Sequence, residues 1–217
     1  MSTLRYRYQT LEFEEFDLHI KSLRDANQFS DDLGEAENLG ISSAQWPFFG
    51  VIWASSEVLA HEMEHYEIEG KRILEIGCGI GLSSVLLNLR RADITATDYH
   101  PEAGRFLATN TQLNGCKEIP FLRTGWADNA DGLGKFDLII GSDLLYEQEH
   151  AELLSSFIQR HTNPYCEVVI VDPGRGNHAV FSKKMVALGF QHSQSPPENC
   201  EYLQKPFKGQ VLNYCRR

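Results

Sequence analysis

The chain has 217 residues, of which 42% are hydrophobic and 23% are charged, so it fits one globular domain and leaves too little sequence for two full ones. Its formal net charge of -10 argues against a nucleic-acid partner, because binding to a phosphate backbone draws on positive charge. The five cysteines are scattered and never spaced as C-x-x-C, which indicates neither a disulfide framework nor a zinc knuckle, and we expect no metal.

The N-terminal region differs from the rest in its pattern. Apolar and polar residues alternate in RYRYQTLEFEEFDLHIK, residues 5–21, and predict an antiparallel hairpin. Residues 27–45 are polar and predict an irregular loop. We therefore divide the chain into an extension, 1–45, and a main domain, 46–217. The N-terminus is too charged for a signal peptide, and no apolar run approaches the roughly eighteen residues of a membrane span, so we expect a cytoplasmic protein without a membrane partner.

From residue 72 onward, short apolar strands alternate with helical stretches, which is typical of a parallel sheet with helices on both faces. The predicted strands are 72–76, 93–98, 119–123, 136–141, 166–172, 189–194 and 209–215, and the predicted helices are 80–91, 101–114, 146–162 and 178–188. The fold class that this order predicts is α/β, with a seven-stranded, mostly parallel, Rossmann-like sheet.

The first of these strands runs into a glycine loop, ILEIGCGIGLSS at residues 73–84. Glycine is suited to a tight turn that a ligand approaches closely. Gly77, Gly79 and Gly81 follow G-x-G-x-G instead of the dinucleotide pattern G-x-G-x-x-G, and Glu75 precedes them. The loop resembles the S-adenosylmethionine loop of class I methyltransferases and predicts that cofactor. A dinucleotide site and an ordinary strand-turn-helix remain as alternatives.

Two further residues belong with this loop. Asp98 closes the next strand, twenty-one residues after Gly77, where a carboxylate can accept hydrogen bonds from both ribose hydroxyls. Cys78 lies inside the loop, where we expect a small packing residue, although a thiol at a helix N-terminus can also be reactive.

The ends of later strands supply side chains suited to a purine and to an amine. After the third strand, Trp126 can stack on a purine and Asp128 can accept a hydrogen bond from its amino group, although a tryptophan is often a core residue. After the fourth strand come Ser142, Asp143 and Tyr146. A carboxylate and an aromatic hydroxyl there can orient an amine for methyl transfer. The alternative is that Asp143 caps the next helix and Tyr146 packs on its first turn.

These motifs together resemble the family-sixteen methyltransferases, the Asp-x-x-Tyr group that contains many protein-lysine methyltransferases. The resemblance covers roughly residues 50–175 and includes GVIWASSEVLA at 50–60. It implies that cofactor contacts come from Trp53, Glu75, Gly77, Cys78, Gly79, Gly81, Asp98, Trp126 and Ser142, and that Asp143 and Tyr146 face the acceptor. The turn Asp172-Pro173-Gly174-Arg175 is similar to one in the branch that methylates the electron-transfer flavoprotein β subunit, although an arginine there is more often solvated.

A competing motif occurs in the segment that follows Trp53. His61 and His65 match H-E-x-x-H, the zinc-protease helix. Both histidines are expected to project away from the apolar stripe that contains Leu59 and Met63, so we predict a solvated helix face instead of a zinc site.

The expected function is therefore the transfer of a methyl group from S-adenosylmethionine to a nitrogen, and the expected acceptor is a lysine amine of a protein. A small-molecule N- or O-methyltransferase on the same fold and a non-catalytic S-adenosylmethionine-binding module are the alternatives. Neither the acceptor nor the oligomeric state follows from the sequence.

Overall fold

A computed structural model describes residues 4–147 and 149–217; residues 1–3 of the predicted extension and Gln148 of the predicted helix 146–162 lie outside the described residues. The strands are β1 (Tyr6–Glu12), β2 (Asp17–Leu23), β3 (Arg72–Ile76), β4 (Asp93–Asp98), β5 (Phe121–Arg123), β6 (Phe136–Ser142), β7 (Thr162–Asp172), β8 (Gln191–Ser195) and β9 (Gln210–Arg216). The helices are α1 (Glu35–Asn38), α2 (Ala54–Glu64), α3 (Leu82–Leu89), α4 (Ala103–Leu113), α5 (His150–His161) and α6 (His178–Ala187), and a 3-10 helix spans Trp46–Gly50.

The main sheet confirms the predicted fold. Its strands lie in the order β5-β4-β3-β6-β7-β9-β8, and only β9 runs antiparallel to its neighbours. The strand order reverses between β3 and β6, where a cleft opens at the carboxyl ends of the strands. The glycine loop after β3 and the Asp143 segment after β6 are therefore neighbours on opposite sides of the reversal.

Successive residues of β3 point into two different hydrophobic layers. Ile73 is fully buried among the residues of α2, α3 and the N-terminal hairpin, whereas Leu74 and Ile76 are buried among those of α5 and α6. This alternation is the period of two that a strand imposes. With both faces covered by helices, the sheet is rigid, and the loops at its carboxyl edge have a fixed base.

The predicted N-terminal hairpin is present as β1 and β2, paired in antiparallel register from Tyr6 with Leu23 to Glu12 with Asp17. It packs on α4 through two asparagines. Asn110 accepts from Lys21 N at 2.8 Å, and Asn114 accepts from His19 N at 2.8 Å. The side chains of β2 share the core layer of α2 and α3. The division at residue 45 stays a prediction, but the hairpin is packed on the sheet domain.

Some element bounds differ from those predicted. Helix α5 begins at His150 instead of 146, because Asp143 has a φ of +54° and the chain from Leu144 to Glu147 is irregular. Strand β7 begins at Thr162, four residues early, because the chain passes directly from α5 into it. The loop predicted over 27–45 contains the short α1. Within the described residues, none of the helices has the length and apolar character needed to cross a membrane.

Candidate active site

A cavity of about 530 Å³ opens at the carboxyl edge of the sheet, where the strand order reverses. It brings together nearly all the residues singled out from the sequence, and those that line it are Trp53, Glu75, Gly77, Cys78, Gly79, Asp98, Trp126, Asp128, Ser142, Asp143 and Tyr146. Gly81 lies behind the loop as the N-cap of α3, where an added Cβ would collide with Leu107. Gly81 therefore shapes the turn from behind.

The glycine loop is held in a backbone conformation that only glycine adopts easily. Gly79 has a φ of +54°, and a Cβ added there would lie 2.7 Å from the carbonyl oxygen of Phe49. This close approach packs the 3-10 helix against the loop. Phe49 in turn stacks on His100, with ring centroids 3.9 Å apart. This side of the cavity therefore depends on the contact between the backbones of Gly79 and Phe49, and the stacking of Phe49 on His100 supports it.

Glu75 is a buried carboxylate at the end of β3. Its Oε2 accepts a hydrogen bond from Ser84 N at 2.9 Å and another from the Ser84 hydroxyl, which ties the strand to α3. Burial raises the pKa of Glu75 to about 7, and the bonds from Ser84 oppose that rise. A carboxylate in this position favours a cation beside it, because a positive charge would offset the loss of water.

Asp98 closes β4 and holds two backbone amides. Its Oδ2 accepts from Gly79 N and its Oδ1 from His100 N, both at 2.8 Å. Burial raises the pKa of this carboxyl, and the backbone amides pull it down. Asp98 therefore fixes the glycine loop and also lines the cavity.

Cys78 lies in the glycine loop and is buried. Burial raises the pKa of its thiol well above its ordinary value, which favours the packing role over a reactive one.

The segment from residue 39 to residue 53 forms one side of the cavity. The sequence predicts Trp53 as part of the site, but it does not predict the contribution of residues 39–45. Leu39 and Ile41 line the cavity, and the hydroxyl of Tyr99 donates to the Leu39 carbonyl at 2.8 Å. Trp53 donates from Nε1 to the carbonyl of Phe48, also at 2.8 Å. The sequence feature that could have indicated the contact between Tyr99 and Leu39 is the position of Tyr99 directly after Asp98, at the end of a predicted strand.

Two aromatic residues at the other wall share one histidine. Trp126 and Tyr146 both contact the ring of His150 edge-on, with centroids 5.1 and 4.4 Å from it. His150 is fixed by a 3.0 Å hydrogen bond between its Nδ1 and the carbonyl of Leu144. Nothing in the sequence marked His150. Tyr146 packs on the first turn of α5, as the structural alternative proposed, yet 48% of it is exposed at the cavity.

Asp128 also lines the cavity, but one of its oxygens is engaged within its own loop. Oδ2 accepts from Gly125 N at 2.6 Å, which closes the turn that holds Trp126. Its predicted contact with a purine amino group remains a prediction.

The carboxylate of Asp143 forms a two-pronged ion pair with Arg175. Arg175 Nε lies 2.6 Å from Oδ1 and Nη2 lies 2.8 Å from Oδ2. The helix α5 starts only at His150, with Glu149 as its N-cap, so Asp143 does not cap that helix and the capping alternative is wrong. Arg175 lines the cavity beside Tyr146. Arg175 is therefore not simply solvated, because its guanidinium is paired with Asp143.

The residues of the cavity fit S-adenosylmethionine. That molecule carries an ammonium, a sulfonium, a ribose diol and a purine. The buried carboxylate of Glu75 and the half-buried carboxylate of Asp98 suit the cation and the diol, and Trp126 offers an aromatic face for the purine. Gly79 lets the ligand lie against backbone. When bound, the molecule supplies an electrophilic methyl group.

The competing H-E-x-x-H histidines do not converge. His61 stacks on Tyr202 with centroids 3.7 Å apart and bonds Glu64 at 3.2 Å, so its prediction as part of a solvated face is wrong. His65 is exposed and faces Glu14 at 3.6 Å. Phe13 of the hairpin turn and Tyr202 of the C-terminal region cover His61 and leave it half-buried, and no periodicity in α2 alone could indicate this.

Two solved structures with a similar fold are methyltransferases. A ribosomal protein L11 methylase from Lactobacillus delbrueckii subsp. bulgaricus has a TM-score of 0.60 at 20% identity, over 77% of this chain and 81% of that one. The 16S rRNA N2 G1207 methyltransferase of T. Thermophilus, in complex with AdoMet and guanosine, has a TM-score of 0.63 at 15% identity, over 99% of this chain and 51% of that one. The fold is that of the S-adenosylmethionine-dependent methyltransferases.

Sequence comparison identifies the family. A family model described as lysine methyltransferase matches residues 36–185. The chain therefore belongs to the lysine methyltransferase family. The predicted resemblance is confirmed, and with it S-adenosylmethionine as the cofactor of the family.

Individual relatives agree with this assignment. The electron transfer flavoprotein beta subunit lysine methyltransferase of Danio rerio is 30% identical over 155 residues, 69% of this chain and 59% of the relative. The counterpart from Rattus norvegicus is 30% identical over 59% of this chain and 51% of its own length. Protein N-lysine methyltransferase METTL21A of Danio rerio is 34% identical over 49% and 54%. The chain spans about half the length of the relatives it matches.

Proposed function

We propose that this protein transfers a methyl group from S-adenosylmethionine to the side-chain amine of a lysine in another protein. The observation that carries the proposal is the shared cavity, in which the Asp143 carboxylate and the Tyr146 hydroxyl lie beside the wall formed by Glu75, Gly79 and Asp98. The names of the relatives, which are protein-lysine methyltransferases, support the same acceptor class.

The roles divide between two ends of the cavity. Trp53, Glu75, Gly77, Cys78, Gly79, Asp98, Trp126 and Ser142 form the cofactor end, with Gly81 shaping the loop from behind. Asp143 and Tyr146 form the acceptor end. A carboxylate can accept an N–H from the amine and turn its lone pair toward the methyl group. Burial raises the pKa of Tyr146, so its hydroxyl stays protonated and can accept a second N–H.

The half-exposed position of Tyr146 favours a lysine over a small metabolite as the acceptor. An enclosed metabolite would need a cavity that surrounds it, whereas a lysine side chain enters from a surface and leaves its own backbone outside. The net charge of -10 is compatible with a basic protein segment as partner.

The test is transfer of a labelled methyl group from S-adenosylmethionine into a protein lysate and, separately, into a metabolite extract, followed by mass spectrometry of the labelled species. We expect label on lysine in one or a few proteins. Purified electron-transfer flavoprotein β subunit is the first single protein to try, given the relatives' names. Label only in the metabolite extract would favour the small-molecule alternative. Cofactor binding without turnover in either would favour the binding module.

A further inference from the structure

The ion pair between Asp143 and Arg175 lies at the acceptor end of the cavity, and both partners line it. The side chain of Asp143 is 13% exposed and that of Arg175 is 45% exposed. Both carboxylate oxygens take part, in the fork geometry that guanidinium and carboxylate groups match best. An incoming amine therefore meets a paired carboxylate instead of a lone negative charge.

Both partners of the pair are positioned by the backbone. Asp143 has a φ of +54° and its N–H donates to the carbonyl of Val171 on the neighbouring strand at 2.9 Å. Arg175 follows a turn in which Gly174, at a φ of +94°, donates its N–H to Asp172 Oδ1 at 2.8 Å. The end of the turn is tied back to the Asp143 loop by Asn177, whose Nδ2 donates to the carbonyl of Leu145 at 2.9 Å. The pair thus joins the loops after β6 and β7.

The charges around the pair come from each element at this edge of the sheet. The titratable and charged groups near it are Asp98 after β4, Asp143, Tyr146 and Glu147 after β6, His150 on α5, Asp172 at the end of β7, Arg175 after it, and His178 on α6. Among the described residues that line the cavity, Arg175 is the one with a permanent positive charge. The hydrogen bonds that Arg175 donates to Asp143 raise the pKa of the guanidinium further, so it keeps its positive charge.

We propose that Arg175 is a positioning residue that holds the Asp143 carboxylate in place and lowers the proton affinity of the acceptor amine, so that the amine stands in the site in its neutral form. The proposal rests on the proposed function, in which Asp143 orients the amine. It explains why Arg175 is present, although its charge weakens the attraction between Asp143 and a cationic amine.

The chemical reason is that a lysine amine is protonated at neutral pH, whereas methyl transfer needs its neutral form. A lone carboxylate attracts the ammonium form, which has no lone pair, and so stabilises the unreactive species. A carboxylate paired with a guanidinium still accepts an N–H, but the pair carries no net charge and the nearby guanidinium repels an ammonium. The proton leaves the substrate nitrogen for solvent, which reaches the half-exposed Tyr146, and the lone pair is then available for attack.

The first experiment measures the pH dependence of the turnover number with a lysine-containing protein, for the wild type, Arg175→Gln and Arg175→Lys. In Arg175→Gln we expect the rising limb of the profile to move up by about one to two pH units, because the ammonium is no longer repelled. At neutral pH the rate should fall about tenfold or more and recover at high pH. Arg175→Lys keeps the charge and should restore most of the profile.

The control is Arg5→Gln, which removes an arginine that pairs with Asp25 at 3.2 Å at the base of the hairpin, outside the residues that line the cavity; its side chain is 63% exposed, against 45% for Arg175. It should leave the profile unchanged. A purely structural role for Arg175 predicts a loss of rate that is the same at every pH and a lower unfolding temperature. Either an unshifted profile in Arg175→Gln or an equal shift in Arg5→Gln would overturn the proposal.

The second experiment does not need turnover. Calorimetry near neutral pH measures the affinity of n-butylamine, which is cationic at that pH, for the protein loaded with S-adenosylhomocysteine. Arg175→Gln should bind the cation about tenfold more tightly than the wild type, and Arg175→Lys should resemble the wild type. Equal or weaker binding in Arg175→Gln contradicts the proposal. If the wild type labels no protein yet the binding difference appears, the proposed acceptor class is wrong and the role of Arg175 stands.

Discussion

The two ends of the cavity are built in different ways. At the cofactor end, the groups are held by backbone: Gly79 packs on the Phe49 carbonyl, and Asp98 accepts hydrogen bonds from the amides of Gly79 and His100. At the acceptor end, backbone hydrogen bonds hold the two loops, but the Asp143 carboxylate and the Arg175 guanidinium bond to each other, and 45% of the Arg175 side chain is exposed. A cofactor end built on the backbone suits a constant ligand, whereas a partly exposed side-chain pair suits an amine that must enter, lose a proton and leave.

The largest effect that this comparison predicts is at Gly79. Gly79→Ala should lower the free energy of unfolding by about 3 to 5 kcal/mol and abolish cofactor binding, because it combines a left-handed φ with a clash against backbone. The matched control is Gly70→Ala, where φ is +69° and nothing lies within 4 Å of the added Cβ. It should lose only about 1 to 2 kcal/mol and keep full binding. Urea unfolding and calorimetry measure both; equal losses would mean that the clash is irrelevant.

Glu75 gives a pH-dependent effect at the same end. Its pKa is raised from 4.5 to about 7 by burial, so between those values the unfolded chain ionises while the folded protein stays protonated. The contribution of this group to the free energy of unfolding therefore falls as the pH rises, by on the order of 3 kcal/mol. Glu75→Gln can still accept from Ser84 N and should remove that fall. Urea unfolding of both proteins at about pH 5 and about pH 8 tests it; parallel pH curves would contradict it.

The smallest effect concerns the cover of the cofactor end. Tyr99→Phe removes the hydrogen bond to the Leu39 carbonyl and should weaken cofactor binding by about 0.5 to 1.5 kcal/mol, mainly through faster dissociation. Tyr165→Phe removes the hydroxyl of a tyrosine that is exposed on β7 and serves as the control. Stopped-flow dissociation of the cofactor separates the two variants. An unchanged rate in Tyr99→Phe would mean that the cover does not depend on this bond.

The same contrast explains how much the sequence could predict. Strand ends and the glycine loop depend on local patterns, so the sequence predicts β3, Gly79, Asp98 and a mostly parallel, seven-stranded sheet, although it does not predict the order of the strands. The partner of Asp143 lies 32 residues away and depends on how two loops meet, which no periodicity records.

Residues that depend on tertiary packing were missed or misjudged. His61 was assigned to a solvated face, yet Phe13 and Tyr202 cover it from distant parts of the chain. His150 was not marked at all, although its ring contacts both Trp126 and Tyr146. Apart from the contact between Tyr146 and His150, each of these contacts joins segments that are distant in the chain, so the order of the residues contains no sign of it.

The most direct test of the central claim compares Asp98→Asn with Asp143→Asn. Asparagine keeps the shape of the side chain and tolerates the φ of +54° at position 143. Calorimetry with S-adenosylmethionine and a labelled-methyl transfer assay are run on both. We expect Asp98→Asn to lose about tenfold or more in cofactor affinity, and Asp143→Asn to bind the cofactor almost normally while losing nearly all transfer. An equal loss of cofactor binding in the two variants would contradict the division of the cavity into a cofactor end and an acceptor end.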